Sequence, residues 1–273
     1  MSGYKNTLFF IILIIIPSLL GIFYGLFGVF IGILISLLIC ILYIIINADK
    51  FLLIHYKARP ALAGEQVDIR DKILMLSKKH GVSAPSIYVT DLALAGSFII
   101  GMETAKTSIV IPKRLFTILK SEEVEAVLAH NIVQINNMIR KRTIVALIAS
   151  AINLSGTIRW GAVFTGFGDY NDPAPKLFGL FLSGLAVPPA AALIHSLPQE
   201  DYDQKVVTLL NNSAALISAI SLLESNNVTG YSSLGFLFLI DPKNETFFEY
   251  LLNVHPLIES RVKNLTKKEN IHD

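Results

Sequence analysis

The chain has 273 residues, of which 53% are hydrophobic and 16% charged, with a formal net charge of +2 and a mean hydropathy of +0.58. A soluble domain carries nearer about 25% charge, so this composition excludes an ordinary soluble protein. It also excludes a disordered chain and, with 23 basic against 21 acidic residues, a general nucleic-acid binder. Cys40 is the single cysteine, which rules out a disulfide framework and any zinc site built on thiolates.

No residue between Lys5 and Asp49 is charged. As one helix this run of about 43 residues would measure roughly 64 Å, twice a hydrocarbon core of about 30 Å. The run therefore predicts a hairpin, with spans Leu8–Tyr24 and Val29–Ile46 and a turn at the glycines from Gly25 to Gly28. A cleaved signal peptide would be shorter and would carry a basic start and a small-residue cleavage site. Residues 1–50 read as this transmembrane hairpin.

Next, Glu65–His80 reads as an amphipathic helix closed by Gly81. Strand signals follow at 85–90, Ser97–Ile100 and Ser108–Ile111. A further helix begins at Ser121, the expected N-cap. Glu122, Glu123 and Glu125 form a solvated first turn, where the helix dipole favours acids. Its apolar stripe is Val124, Leu128, Ile132, Ile135 and Ile139. His130 and Gln134, four apart, share one of its faces.

Two more apolar stretches, Thr143–Ile158 and Leu177–Ile194, are about 24 and 27 Å long as helices. Arg140-Lys141-Arg142 before the first and Arg159-Trp160 after it are placed as interfacial anchors, so 143–195 reads as a third and fourth span. The basic residues Lys50, Lys57, Arg59 and Arg140 to Arg142 set 51–142 and 196–273 on the cytoplasmic side. Those segments form one domain split by the spans. No charge lies within the spans, which argues against a channel or transporter.

The stretch Glu122-Glu123-Val124-Glu125-Ala126-Val127-Leu128-Ala129-His130-Asn131-Ile132-Val133-Gln134-Ile135 resembles the active-site helix of HtpX-type membrane zinc metallopeptidases. The order of the remaining pieces matches as well: the hairpin, His80-Gly81-Val82, Pro85-Ser86-Ile87-Tyr88-Val89, and an edge segment Gly96–Gly101. The apolar pair that interrupts the domain fits too, as does His255-Pro256-Leu257-Ile258-Glu259-Ser260-Arg261-Val262 near the C-terminus, which looks like the family's T-H-P-P-x-x-x-R-I signature. The resemblance implies a mostly α-helical (α+β), zincin-like domain with a small β-sheet, attached to transmembrane helices. It also implies a multi-pass protein of the plasma membrane, in contact with the lipid bilayer.

In that family the helix carries H-E-x-x-H, two histidines binding zinc and a glutamate activating water. Carried over residue by residue, His130 keeps the first ligand position. Asn131 stands at the general-base position, Gln134 at the second histidine and Gln199 at the third ligand, a glutamate in the family. Asp203 matches the family's aspartate, and with Arg261 and His255 belongs to the surroundings of the site. Carboxamides bind zinc weakly and take up no proton at neutral pH, so no cofactor is expected. His195, four residues before Gln199, is a substitute ligand only if a helix continues through Pro198. The expectation is a catalytically inactive homologue, a binding or regulatory protein in membrane-protein quality control. Its expected partners are an active peptidase paralogue or unfolded membrane-protein clients. The alternative is an active membrane metalloendopeptidase that uses an atypical ligand set with zinc.

Overall fold

A computed structural model describes residues 24–62, 67–151, 187–197, 201–228, 231–243 and 247–272, with backbone alone at 67, 247–249 and 267–272. The expected first span, the site position Gln199 and most of 143–195 lie outside these residues. The chain divides into two compact units, Met1–Phe51 and Leu52–Asp273.

In the first unit, α1 runs from Gly25 to Ile46. Its 22 residues make about 33 Å at 1.5 Å per residue, enough for a hydrocarbon core. Among the described residues it is the one helix long and apolar enough to cross a membrane. Gly25 opens it with a positive φ of 72°, a backbone region that side chains disfavour. The residues it buries are small and spaced by four, Gly28, Gly32, Ser36 and Cys40, whereas Leu26, Phe27, Leu38 and Ile41 point outward. The Ser36 hydroxyl donates to the Gly32 carbonyl at 2.8 Å, so no polar group is left bare on that face.

The short helix α2, Ala48–His55, leads into the second unit, which is mostly helical with a small mixed sheet, as the sequence predicts. Strand β1 is Arg59–Pro60, β2 Ser86–Thr90, β3 Phe98–Glu103 and β4 Lys106–Pro112. The sheet order is β1-β2-β4-β3; β2 and β4 pair in parallel with Tyr88 opposite Val110, and β3 and β4 form an antiparallel hairpin. Gly101 sits at a bulge of that hairpin, where an added Cβ would lie 2.8 Å from Thr107 Cγ2 and 2.9 Å from the Lys106 carbonyl. Strand alternation sends Ile99, Ile109 and Ile111 into one core and Phe98, Ile100 and Val110 into another.

The first core is closed by α3 (Val67–His80), α5 (Ser121–Val133), α7 (Tyr202–Leu210) and α8 (Ser213–Ser225). Gly81 ends α3 with φ +76°. Val82 N–H bonds the Ser77 carbonyl and Gly81 N–H that of Lys78, the paired closure that lets a glycine stop a helix. The second core holds Tyr56, Leu234, Phe236 and Phe238 together with α6 (Ile139–Ala151) and the helical residues 187–195. A short helix α4, Leu115–Ile118, precedes α5; 3-10 turns at Ser232–Leu237 and Phe247–Leu252 and a last helix α9, Ile258–His272, complete the chain. The described start of the expected third span, Thr143 to Ala151, belongs to α6, and its Val145, Ala146 and Ala149 pack in the second core.

Candidate active site

Helix α5 lies between α3, α7 and α8, so nearly its whole circumference is buried. Its start differs from expectation. Ser121 is the first helical residue rather than the cap, and its hydroxyl accepts from Lys72 Nζ at 2.7 Å. The first turn is not simply solvated either. Glu123 is buried; its carboxylate accepts the Lys120 backbone N–H at 2.6 Å and the Ser218 hydroxyl at 2.7 Å, so an acid placed for the helix dipole also ties α5 to α8. The helix then stops at Val133, with Gln134 as its C-cap. The stripe does not continue to Ile139 on one helix, because Asn136 Oδ1 takes the Met138 N–H at 2.9 Å and turns the chain. A new helix starts at Ile139.

His130, Asn131 and Gln134 are each at most 1% exposed. The Asn131 amide nitrogen donates to Ser97 Oγ at 2.5 Å and to the Val127 carbonyl at 2.8 Å. Both of its protons are thereby committed. Gln134 Nε2 donates to the Leu237 carbonyl at 3.2 Å. It also lies 3.3 and 3.4 Å from the two ring nitrogens of His130. A neutral imidazole has one acceptor nitrogen, so one hydrogen bond at most exists there. Among the described residues the amide oxygens of Asn131 and Gln134 have no hydrogen-bond partner. Burial, reinforced by the nearby His255, pushes the His130 pKa down to about 3, so the ring is neutral.

The facing wall comes from α7, α9 and the turns between them. Asp201 caps α7 by accepting the Gln204 N–H at 3.1 Å. Arg261 of α9 grips Asp203 with two bonds, Nε at 2.7 Å and a terminal nitrogen at 2.6 Å; its other terminal nitrogen donates to the Leu239 carbonyl at 2.7 Å. Burial alone would raise the Asp203 carboxyl, but the Arg261 guanidinium outweighs it and holds the group below its ordinary value. His255 Nε2 lies 3.1 Å from the Gly235 carbonyl and its backbone N–H donates to Asp241 Oδ2 at 3.0 Å. Burial keeps this ring, too, below its usual pKa.

Between the walls is a cavity of about 340 Å³, lined by His130, Asp203, His255 and Arg261 and, on its apolar side, by Ile194, Leu197, Phe236 and Leu265. The structure thus gathers His130, Asp203, Arg261 and His255 around one space, with Gln134 against His130. Asn131 is adjacent on α5 but ties to Ser97. His195 is exposed and its Nε2 lies 2.9 Å from the Leu251 carbonyl; it is not among the cavity residues. Sequence reasoning missed Tyr202, whose ring meets His130 edge-on at 5.9 Å. It also misassigned Arg142. That residue is not an interfacial anchor: it is buried, with its guanidinium 4.9 Å over Tyr202 and a bond of 3.3 Å to the Gln134 carbonyl. Charge beside an apolar run looks the same in sequence whether it faces water or turns inward.

Strand β3 is an outer strand of the sheet, and α6 covers part of its free side. Gly101 N–H donates to Thr143 Oγ1 at 2.9 Å. The Thr143 hydroxyl in turn lies 3.0 Å from the Gly101 carbonyl and 2.9 Å from that of Ile139, its one proton serving one or the other. Arg140 Nε donates to the Met102 carbonyl at 2.8 Å.

The chemistry of these donors can be set against what a catalytic zinc requires. Such sites take three ligands from imidazole, thiolate or carboxylate. His130 supplies one imidazole; the second around the cavity, His255, has its Nε2 against the Gly235 carbonyl, Asn131 and Gln134 offer neutral carboxamide oxygens, and Asp203 is engaged by Arg261. Among the described residues no group of three His, Cys, Asp or Glu could hold a metal ion. This donor set does not fit catalytic zinc.

Residues 63–269 match the family model of peptidase family M48. A "Protease HtpX homolog" of Pelotomaculum thermopropionicum is 28% identical over 232 residues, 80% of this chain and 82% of its own length. One from Desulfatibacillum aliphaticivorans is 26% identical over 230 residues, 80% and 74% of the two chains. A third, from Thermococcus kodakarensis, is 25% identical over 231 residues, 81% and 80%. No solved structure matches the chain significantly.

Proposed function

From the fact that the chain belongs to peptidase family M48, among its HtpX-type members, we propose that it is a non-catalytic member, a membrane-anchored binding or regulatory protein that keeps the peptidase fold. The observation that carries this reading is the state of α5. The residue at the general-base position, Asn131, has an amide with both protons spent on Ser97 and Val127, and an amide is no base at neutral pH. Loss of a general base alone costs about 10²–10⁴-fold in rate, and loss of the metal removes the activated water as well. The sealing of Gly101 and Met102 by α6 supports the same reading, since a peptide cannot pair with backbone groups already bonded.

In this proposal the chain is a multi-pass plasma-membrane protein. The hairpin 1–50 and the spans within 143–195 anchor one cytoplasmic domain made of 51–142 and 196–273. It serves membrane-protein quality control, either holding unfolded membrane-protein clients or assembling with an active paralogue. The purified chain should carry no stoichiometric zinc and cleave no unfolded substrate. Stoichiometric zinc together with chelator-sensitive cleavage would overturn the reading. Replacing Asn131→Glu, Gln134→His and Gln199→Glu together should create zinc binding, measurable by metal analysis. A folded triple variant that takes up no zinc would refute the placement of Gln199. Affinity capture from native membranes should recover a client or a peptidase, and recovery of neither would count against the assigned role.

One observation favours a second reading. The amide oxygens of Asn131 and Gln134, residues close to His130 along α5, have no hydrogen-bond partner among the described residues, and an active enzyme with an atypical ligand set would use them. The same metal analysis decides between the two.

A further inference from the structure

The helical residues 187–195 are apolar on both sides. Val187, Ala190, Ala191 and Ile194 are buried in the second core, while Pro188, Pro189, Ala192 and Leu193 are exposed. A helix that is apolar all round belongs inside a core or against lipid, and its outer face here is bare. The character changes only at the end, where His195 and Ser196 are exposed. His195 Nε2 meets the Leu251 carbonyl, which places this end beside the 3-10 turn whose Tyr250 and Leu251 are also exposed, Tyr250 by 66%. Lys141 Nζ reaches the Ser196 carbonyl at 3.3 Å, setting a cation at the polar end of the patch. Its neighbour Arg140 is exposed as well.

We propose that Leu193, Tyr250 and Leu251 form a lipid-seating patch, so that the domain rests on the bilayer itself, with Lys141 level with the anionic headgroups. The occupant is a bilayer rather than a protein for two reasons. The uncharged sequence from Leu177 to Ala186 runs directly into this helix, so the chain reaches the patch from its own apolar run. The boundary from leucine to a tyrosine tip, histidine and lysine also repeats the layering of a membrane interface, where aromatic belts and basic side chains sit at headgroup depth. The inference rests on the membrane reading of the chain and goes beyond it, because the expected fourth span ends at Leu193 and Ile194 and nothing in that reading brings Tyr250 and Leu251 to the bilayer. It also sets the apolar wall of the cavity, which Ile194 and Leu197 of the same segment supply, next to lipid.

The test uses the full chain in nanodiscs, with Cys40→Ser as background and single spin labels introduced through Leu193→Cys, Leu251→Cys, Met75→Cys and Leu37→Cys. Collision with oxygen reports lipid, and collision with a water-soluble nickel chelate reports water. Met75 on α3 is as exposed and apolar as the patch residues and serves as the aqueous control; Leu37 on α1 reports whether the chain is inserted at all. The expected result is high oxygen and low nickel collision at 193, 251 and 37, and the reverse at 75. If 37 and 193 are lipid-exposed while 251 behaves like 75, the patch is refuted and the membrane reading stands; if 193 also behaves like 75, the expected fourth span falls with the patch. If 37 also behaves like 75, the membrane reading falls too. Exchanging neutral for phosphatidylglycerol-containing discs should deepen the label at 251, and Lys141→Gln should abolish that response. A depth indifferent to lipid charge would refute the role given to Lys141.

Discussion

The two walls of the cavity differ in what their polar side chains hold. On α7 and α9, Asp203 and the buried Arg261 form a two-point ion pair, largely out of solvent. On α5, Asn131 and Gln134, which the resemblance sets at the base and second-ligand positions, carry amides bonded through nitrogen to Ser97, Val127 and Leu237. The first wall does mechanical work, since it joins two distant segments of the chain. The second wall, where the resemblance places the family's chemistry, fastens the helix through amide nitrogens and offers no basic group there. On the proposed reading, a fold of this kind loses its reaction and keeps the ties between its elements.

Breaking the ionic wall should cost most. Arg261→Ala strands the Asp203 carboxylate and should destabilise the domain by about 3–5 kcal/mol, read as a large drop in thermal midpoint in detergent. A loss no greater than that of an ordinary surface substitution would mean the pair is solvated and the comparison wrong. The amide wall should give less. Asn131→Leu leaves the Ser97 hydroxyl without its donor and should cost about 2–3 kcal/mol by the same measurement. Smaller again is Thr143→Val, which keeps the shape but frees the Gly101 backbone, at about 1 kcal/mol. Amide exchange at Gly101, faster in that variant, distinguishes it from general loosening. Least of all is Gln134→Met. It forfeits the bond to Leu237 but removes an unpartnered buried oxygen, and the two should cancel to within about 1 kcal/mol. A loss as large as that of Asn131→Leu would show that Gln134 holds more than one partner.

Much of the scaffold was legible because its signals are local. Gly81 announces the end of α3 by needing a left-handed backbone, the β-branched runs mark β2 and β4, and His130 to Gln134 sit one turn apart on any helix. The misreadings share the opposite property. Glu123 is buried because Ser218, 95 positions away, closes over it. Arg142 turns inward because Tyr202 offers a ring face. α5 ends early because one asparagine side chain outcompetes the helix for an N–H. Periodicity and flanking charge carry no information about a partner that the fold delivers from elsewhere.

The capping of β3 by Thr143 and Arg140 has a consequence for selectivity. An open sheet edge accepts any extended chain, because main-chain pairing is blind to side chains. With the Gly101 N–H and the Met102 carbonyl already bonded from within, a visitor at that stretch gains little by aligning its backbone. In the proposed binding role, discrimination would come from which side chains fit the hollow between the two walls, and composition rather than strand direction would decide what stays.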